Sequence, residues 1–246
     1  MIDTHAHLTA LDDVEGAIAR AAEAGVTRIL TVGTNVEDCR GALELADRHE
    51  SVFAILGSHP HEAGTTTAAD LAVLREMLAH PKAVAVGETG LDWFRDYAPA
   101  DDQRRLFAAE LDLAAQLGKP VVIHTRAADD DTLAALADHA GTVVLHCFSS
   151  PPMLPVALER GWYVSFAGNA TYPKAVGLRL AATQVPAERI LTETDSPYLA
   201  PQPVRGKRNE PANVVHTLAA LATARGEEPA ELERRIEENA TACFGL

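Results

Sequence analysis

The chain has 246 residues, close to the roughly 250 typical of a one-domain (β/α)8 barrel, and can bury a large core without cross-links. At 47% hydrophobic and 23% charged, its composition is that of an ordinary globular domain. A formal net charge of −14 excludes a protein that coats nucleic acid with a broad basic face, but not an enzyme that holds phosphates locally through bound cations.

The three cysteines, Cys39, Cys147 and Cys243, are odd in number and far apart. That argues against a disulfide framework and fits a reducing compartment, so a cytoplasmic location is expected. The segment Met1-Ile2-Asp3-Thr4-His5 has no basic stretch followed by an apolar run, and no signal peptide is expected. No apolar run reaches the about 18 residues of a membrane helix.

Short β-like runs alternate with helix-like segments along the whole chain. The first candidate strand, Ile2–Leu8, carries His5 and His7, two apart and therefore on one side of an extended backbone. Arg28–Val32 and Val52–Leu56 follow, the latter leading into His59 and His61. Ala83–Val86 leads into Glu88, and Asp101–Leu117 reads as a helix with Leu106, Leu113 and Leu117 on one stripe, stopped by Gly118 and Pro120. Val121–His124 and Thr142–His146 each end on a histidine. Tyr163–Phe166 and Ile190–Thr192 complete the strands, and Asp195 follows the last of them. Pro229 at a first helical position and Gly245 past the end bracket a final helix, Pro229–Phe244.

Continuous apolar runs such as Val121-Val122-Ile123 indicate strands covered on both faces, as in parallel sheets. Eight β/α units in this length predict a single (β/α)8 TIM barrel over residues 1–246. An open doubly wound sheet is the alternative, weakened because no Gly-rich dinucleotide fingerprint follows the first strand.

His5, His7, Glu88, His124, His146 and Asp195 all fall at or just past strand C-terminal ends, where active sites of barrels of this kind lie. Four imidazoles and two carboxylates suit Zn²⁺, Mn²⁺, Co²⁺ or Ni²⁺, and Mg²⁺ less obviously; they suffice for two divalent metal ions sharing a carboxylate. His49, His80, His139 and His216 fall off this pattern and read as structural. Glu88 and Asp195 are the catalytic candidates, Asp195 as general base and Glu88 as bridge. His59 and His61 are candidates to hydrogen-bond substrate phosphate or to support the metals, and the cationic Arg205, Lys207 and Arg208 are candidate contacts for substrate phosphates. Asp92 is read as orienting a histidine or a loop, and Cys147 as a small buried hydrophobe.

Ile2-Asp3-Thr4-His5-Ala6-His7-Leu8, Gly57-Ser58-His59-Pro60-His61, Gly87-Glu88-Thr89-Gly90-Leu91-Asp92, His124-Thr125-Arg126, His146-Cys147-Phe148 and Thr194-Asp195-Ser196-Pro197 occur in this order. Together they resemble the TatD family of metal-dependent DNases, within the amidohydrolase-like hydrolases, over nearly the whole chain. The resemblance implies a barrel with a dinuclear site, in which His5, His7, Glu88 and Asp195 hold one metal and Glu88, His124 and His146 the other. It also implies hydrolysis of DNA, often 3′ to 5′ on single strands, with Arg126 among the substrate contacts. Relatives acting on D-aminoacyl-tRNA keep another ester, an amide or a small phosphoester as the alternative substrate. Ala127 stands where the family usually has Asp, and Trp93 where Tyr is common. The expected partner is nucleic acid as substrate, with neither a membrane nor an obligatory protein partner.

Overall fold

The computed structural model describes residues 1–246. Eight strands form one sheet whose spatial order is the chain order: β1 (Ile2–Ala6), β2 (Arg28–Gly33), β3 (Val52–Leu56), β4 (Ala83–Asp92), β5 (Val121–Arg126), β6 (Val143–Leu145), β7 (Tyr163–Phe166) and β8 (Ile190–Thr192). Helices follow the strands: α1 (Val14–Glu23), α2 (Val36–Arg48), α3 (Ala68–Met77), α4 (Ala100–Leu117), α5 (Asp129–Ala135), α6 (Leu154–Glu159), α7 (Val176–Gln184), α8 (Val214–Arg225) and α9 (Pro229–Phe244). This is the (β/α)8 TIM-barrel fold. No helix is long and apolar enough to cross a membrane.

The chain divides into two compact units, one of Met1–Thr31 with His146–Leu246 and one of Val32–Leu145. In the first, β1 pairs in parallel with β2, and β7 with β8. The first and last strands also meet there. Ala6 bridges Ser196, and the Asp195 amide donates to the His5 carbonyl at 2.9 Å. In the second unit β3, β4, β5 and β6 pair in parallel, each with the next.

Local sequence explains where the helices begin and stop. The side chain of Asp13 accepts from the Gly16 amide at the start of α1, and Asn35 accepts from Asp38 at the start of α2. Thr67 and Asp70 form a reciprocal capping box on α3. Gly118 and Gly245 end α4 and α9 in the left-handed conformation that glycine adopts without steric cost. The apolar stripe of α4 buries Leu106 against Ala63 and Ala98. Truncating such a fully buried leucine to alanine costs about 2–5 kcal/mol.

The strands expected at Val52–Leu56, Tyr163–Phe166 and Ile190–Thr192 and the helix Pro229–Phe244 have those bounds. β4 differs: it runs six residues past Val86, so Glu88 lies within the strand and not after it. The glycines of Gly87-Glu88-Thr89-Gly90 serve as close-approach points between β4 and β5. Gly90 has φ +141°, and a Cβ there would meet the His124 carbonyl oxygen at 1.9 Å. The ladder shifts register between Gly87 and Thr89, then continues to Asp92 opposite Arg126. β1 ends at Ala6, leaving His7 just beyond it, and β6 ends at Leu145, leaving His146 just beyond.

Candidate metal centre

In the first unit, His5 on β1, His7 after it, His146 after β6 and Asp195 after β8 come together. Donor atoms of His5, His146 and Asp195 lie within 4.8 Å of one another. The His5 and His146 rings stack at 3.7 Å, and Nε2 of His7 lies 3.4 Å from Oδ1 of Asp195. Burial would raise the Asp195 carboxyl. The bond from His7 and the neighbouring His146, His7 and His5 outweigh it and hold the group below its ordinary value. Asp195 also has φ +55°, a conformation costly for a residue with a Cβ, and its amide is tied to His5.

Supporting carboxylates lie behind this cluster. Oε1 of the buried Glu193 is 2.9 Å from Nδ1 of His146 and accepts from the Cys147 amide at 2.6 Å. A carboxylate can only accept, so Nδ1 of His146 carries the proton and Nε2 is the basic nitrogen of the ring. Cys147 is half-buried with φ +45°, which corrects its reading as a buried hydrophobe: its role here is the amide that Glu193 binds. Asp3, fully buried, accepts from the Thr194 amide and hydroxyl at 2.8 and 2.6 Å, and burial pushes its carboxyl up to about 8. It fastens the residue just before Asp195. It is unassigned from sequence alone, although the alternation of Asp3, His5 and His7 along the sequence is a usable signal.

In the second unit, His59, Glu88 and His124 have donor atoms within 4.8 Å of one another. Nδ1 of His124 lies 2.7 Å from Oε1 of Glu88, and its Nε2 lies 3.2 Å from Oδ2 of Asp92. Two carboxylates converging on one imidazole call for positive charge, which a shared proton or a divalent cation supplies. This donor chemistry fits a metal. His59 differs. Burial pushes its imidazole down to about 4 against the pull of Glu88, so it is neutral near pH 7. Its Nδ1 accepts from the His61 amide at 3.1 Å, so the proton sits on Nε2, 3.5 Å from Glu88. In that tautomer His59 is a hydrogen-bond donor and not a nitrogen ligand.

Asp92 holds two things at once. Oδ2 lies 2.8 Å from Nε2 of His61 and 3.2 Å from His124, while Oδ1 accepts from the Phe94 and Arg95 amides at 2.8 and 2.9 Å. Burial would raise this carboxyl, but His124, His61 and the Arg95 amide outweigh it and hold it well below the carboxylate range. Ala127, in place of the usual Asp, has φ +54°. Asp131 does not reach His124; it accepts from the Trp93 indole at 2.9 Å and from Arg104 at 3.2 Å.

The expected phosphate contacts are differently disposed. Arg126 is exposed, with its guanidinium 4.0 Å over the Phe94 ring. Arg205 lies 4.0 Å over the Tyr172 ring, and Lys207 is exposed. Arg208 is bound within the protein, to Asp12 at 2.8 Å and to the Ala10 carbonyl. His80, read as structural, pairs with Asp47 at 3.2 Å.

The TatD related DNase family matches residues 2–245. The chain is 39% identical to the uncharacterized metal-dependent hydrolase TatD of Mycobacterium tuberculosis, covering 100% of this chain and 98% of that one. It is 34% identical to the 3′-5′ ssDNA/RNA exonuclease TatD of Escherichia coli, covering 100% and 99%. Among solved structures, the TatD homologue YJJV of Escherichia coli superposes with a TM-score of 0.95 at 31% identity, covering 100% of this chain and 98% of that one. This chain is a metal-dependent hydrolase and belongs to the TatD family.

Proposed function

We propose that the protein is a 3′–5′ exonuclease of single-stranded nucleic acid, with DNA as the favoured substrate. The observation that carries this reading is likeness over the full chain length to 3′-5′ ssDNA/RNA exonucleases at 34–35% identity. His5, His7, Glu88 and Asp195 are assigned to one divalent cation and Glu88, His124 and His146 to the other, Glu88 being shared. Zn²⁺, Mn²⁺, Mg²⁺, Co²⁺ and Ni²⁺ are the candidates. When bound, such cations neutralise the phosphodiester and lower the pKa of water.

The chain's own residues do the rest. Asp195, held ionised, accepts the proton of the attacking water. Glu193 and Asp92 fix the tautomers of His146 and His124. His59, neutral and protonated at Nε2, donates to a non-bridging phosphate oxygen, and His61, held by Asp92, stands beside it at a ring separation of 4.2 Å. Arg126 and Lys207 contact flanking phosphates. The three free cysteines support a cytoplasmic location.

The test is digestion of end-labelled single- and double-stranded DNA by metal-reconstituted protein, run beside a panel of esters and amides. Stepwise shortening of the single strand from its 3′ end is expected. Hydrolysis of the ester or amide panel with intact DNA would overturn the reading.

A further inference from the structure

The chain leaves five large hydrophobic side chains exposed, and two of them, Phe94 and Tyr97, at 59% and 64%, stand three residues apart just past β4. Leaving two aromatic rings in water forgoes the burial that usually stabilises them, and nothing in the core requires them there. Cations surround them. The Arg126 guanidinium is 4.0 Å over one face of Phe94, and that of Arg95 is 5.3 Å from Phe94 and 6.0 Å from Tyr97. Neither arginine is in an ion pair, in a protein whose acidic groups exceed its Lys and Arg by 35 to 21. Arg104, Arg105 and Arg208, by contrast, are all paired with aspartates.

The patch is also registered to the candidate metal centre. The amides of Phe94 and Arg95 hang on Oδ1 of Asp92, whose Oδ2 binds His61 and His124. Tyr97 packs edge-on against His61 with centroids 4.7 Å apart. Trp93 behind them is held through its indole by Asp131 and through its amide by the Arg126 carbonyl. One carboxylate therefore sets both His124 and the base of the aromatic loop.

We propose that Phe94 and Tyr97 form a stacking platform for the bases of a single strand next to the scissile phosphate, with Arg95 and Arg126 on the adjoining phosphates. This rests on the nuclease reading and names how the site takes its substrate. Aromatic faces beside unpaired arginines match a chain of alternating planar bases and anionic phosphates. The same faces disfavour duplex, whose bases are already stacked on each other. Every base has a π-face, so the platform gives little base preference.

The test uses metal-loaded full-length protein and a short oligodeoxynucleotide with phosphorothioate linkages at its 3′ end, which block turnover. One version carries 2-aminopurine near that end, whose fluorescence is quenched on stacking, and another carries an abasic residue at the same place. Wild type is expected to quench the probe. Phe94→Ala and Tyr97→Ala are expected to lose quenching and to weaken binding about 5-fold or more each. The abasic substitution should cost wild type a similar factor and cost the double variant nothing further. Phe94→Trp should restore both signals. Both rings are exposed, so the alanine variants are expected to keep the wild-type circular dichroism. Unchanged affinity and quenching in the folded double variant would overturn the platform while leaving the exonuclease reading intact. So would a wild-type oligomer that the double variant dissolves without loss of nucleic-acid binding, since the patch would then be a self-association face. A wild type that binds no oligonucleotide would overturn both.

Discussion

Oε1 of Glu193 lies 2.9 Å from Nδ1 of His146 and takes the next residue's amide at 2.6 Å, so one buried oxygen orients both a side chain and the backbone that carries it. Such an outer carboxylate raises the basicity of the imidazole and turns Nε2 toward a cation. Glu193→Ala should lower metal affinity about 10–100-fold. Glu193→Gln, which keeps an accepting oxygen, should lose less. Titration calorimetry with Mn²⁺ measures both, and an unchanged dissociation constant for the alanine variant would show that the bond does not tune the ligand.

Metal content follows from the donor sets. Protein saturated with Zn²⁺ or Mn²⁺ and freed of excess ion should hold close to two ions per chain. His124→Ala combined with His146→Ala should remove mainly one, because His5, His7 and Asp195 remain. Elemental analysis of the two proteins decides the matter; a wild type that never exceeds one ion would rule out the dinuclear assignment.

Glu110 on α4 predicts a pH dependence of stability. Its side chain is fully buried; Oε1 accepts from the Ser58 amide at 2.6 Å, and Oε2 is 2.5 Å from the Thr89 hydroxyl. Burial pushes this carboxyl up to about 8, against the lowering effect of the two bonds. The folded protein therefore keeps a proton that the unfolded chain, with an ordinary carboxyl value of 4.5, has lost. Stability from this group is full below that value and drains away as pH rises toward 8. Glu110→Gln mimics the protonated acid and should flatten this part of the curve. Denaturant melts at pH 5 and 8 in chelator compare the two. Parallel curves would mean that Glu110 is ionised in the folded state.

Much of this was legible in the sequence because the signals are local. Apolar β-branched runs bounded by Gly and Pro located β3, β7 and β8, and Pro229 and Gly245 located α9. That His5 and His146 come together with Asp195, and His124 with Glu88, was legible because those residue types coincide with strand ends. What was not legible depends on partners far away in the chain. β4 extends to Asp92 because β5 offers a ladder as far as Arg126, and Gly87 and Gly90 let the two backbones close. Glu193 and Asp3 are ordinary acids until His146 and Thr194, 47 and 191 residues away, arrive beside them. Nothing local in the sequence marks Phe94 and Tyr97 as exposed; the fold shows them facing water.

The loop after β8 offers three cations, and the structure separates them. Arg208 binds Asp12 and the Ala10 carbonyl, so its charge is already offset by a neighbouring carboxylate. Lys207 is exposed and has no ion-pair partner. A phosphate meeting Lys207 gains an uncompensated cation, whereas one meeting Arg208 must also approach Asp12. Each single-strand phosphate neutralised contributes roughly 0.7 to the slope of log affinity against log salt. Lys207→Ala should therefore flatten that slope by about 0.7. Arg208→Ala should change it much less, and Asp12→Asn should steepen it by freeing Arg208. These contacts position the strand and do not touch the leaving group, so the loss in Lys207→Ala should fall on KM with kcat nearly kept. Salt series on the wild type and the three variants, with one oligonucleotide, give all four slopes. Equal flattening by Lys207→Ala and Arg208→Ala would mean that the Asp12 pair opens when nucleic acid binds, as an exposed pair worth at most about 1 kcal/mol can. No flattening by either would mean that this loop does not reach the strand, and would leave Arg95 and Arg126 as the cations that hold it.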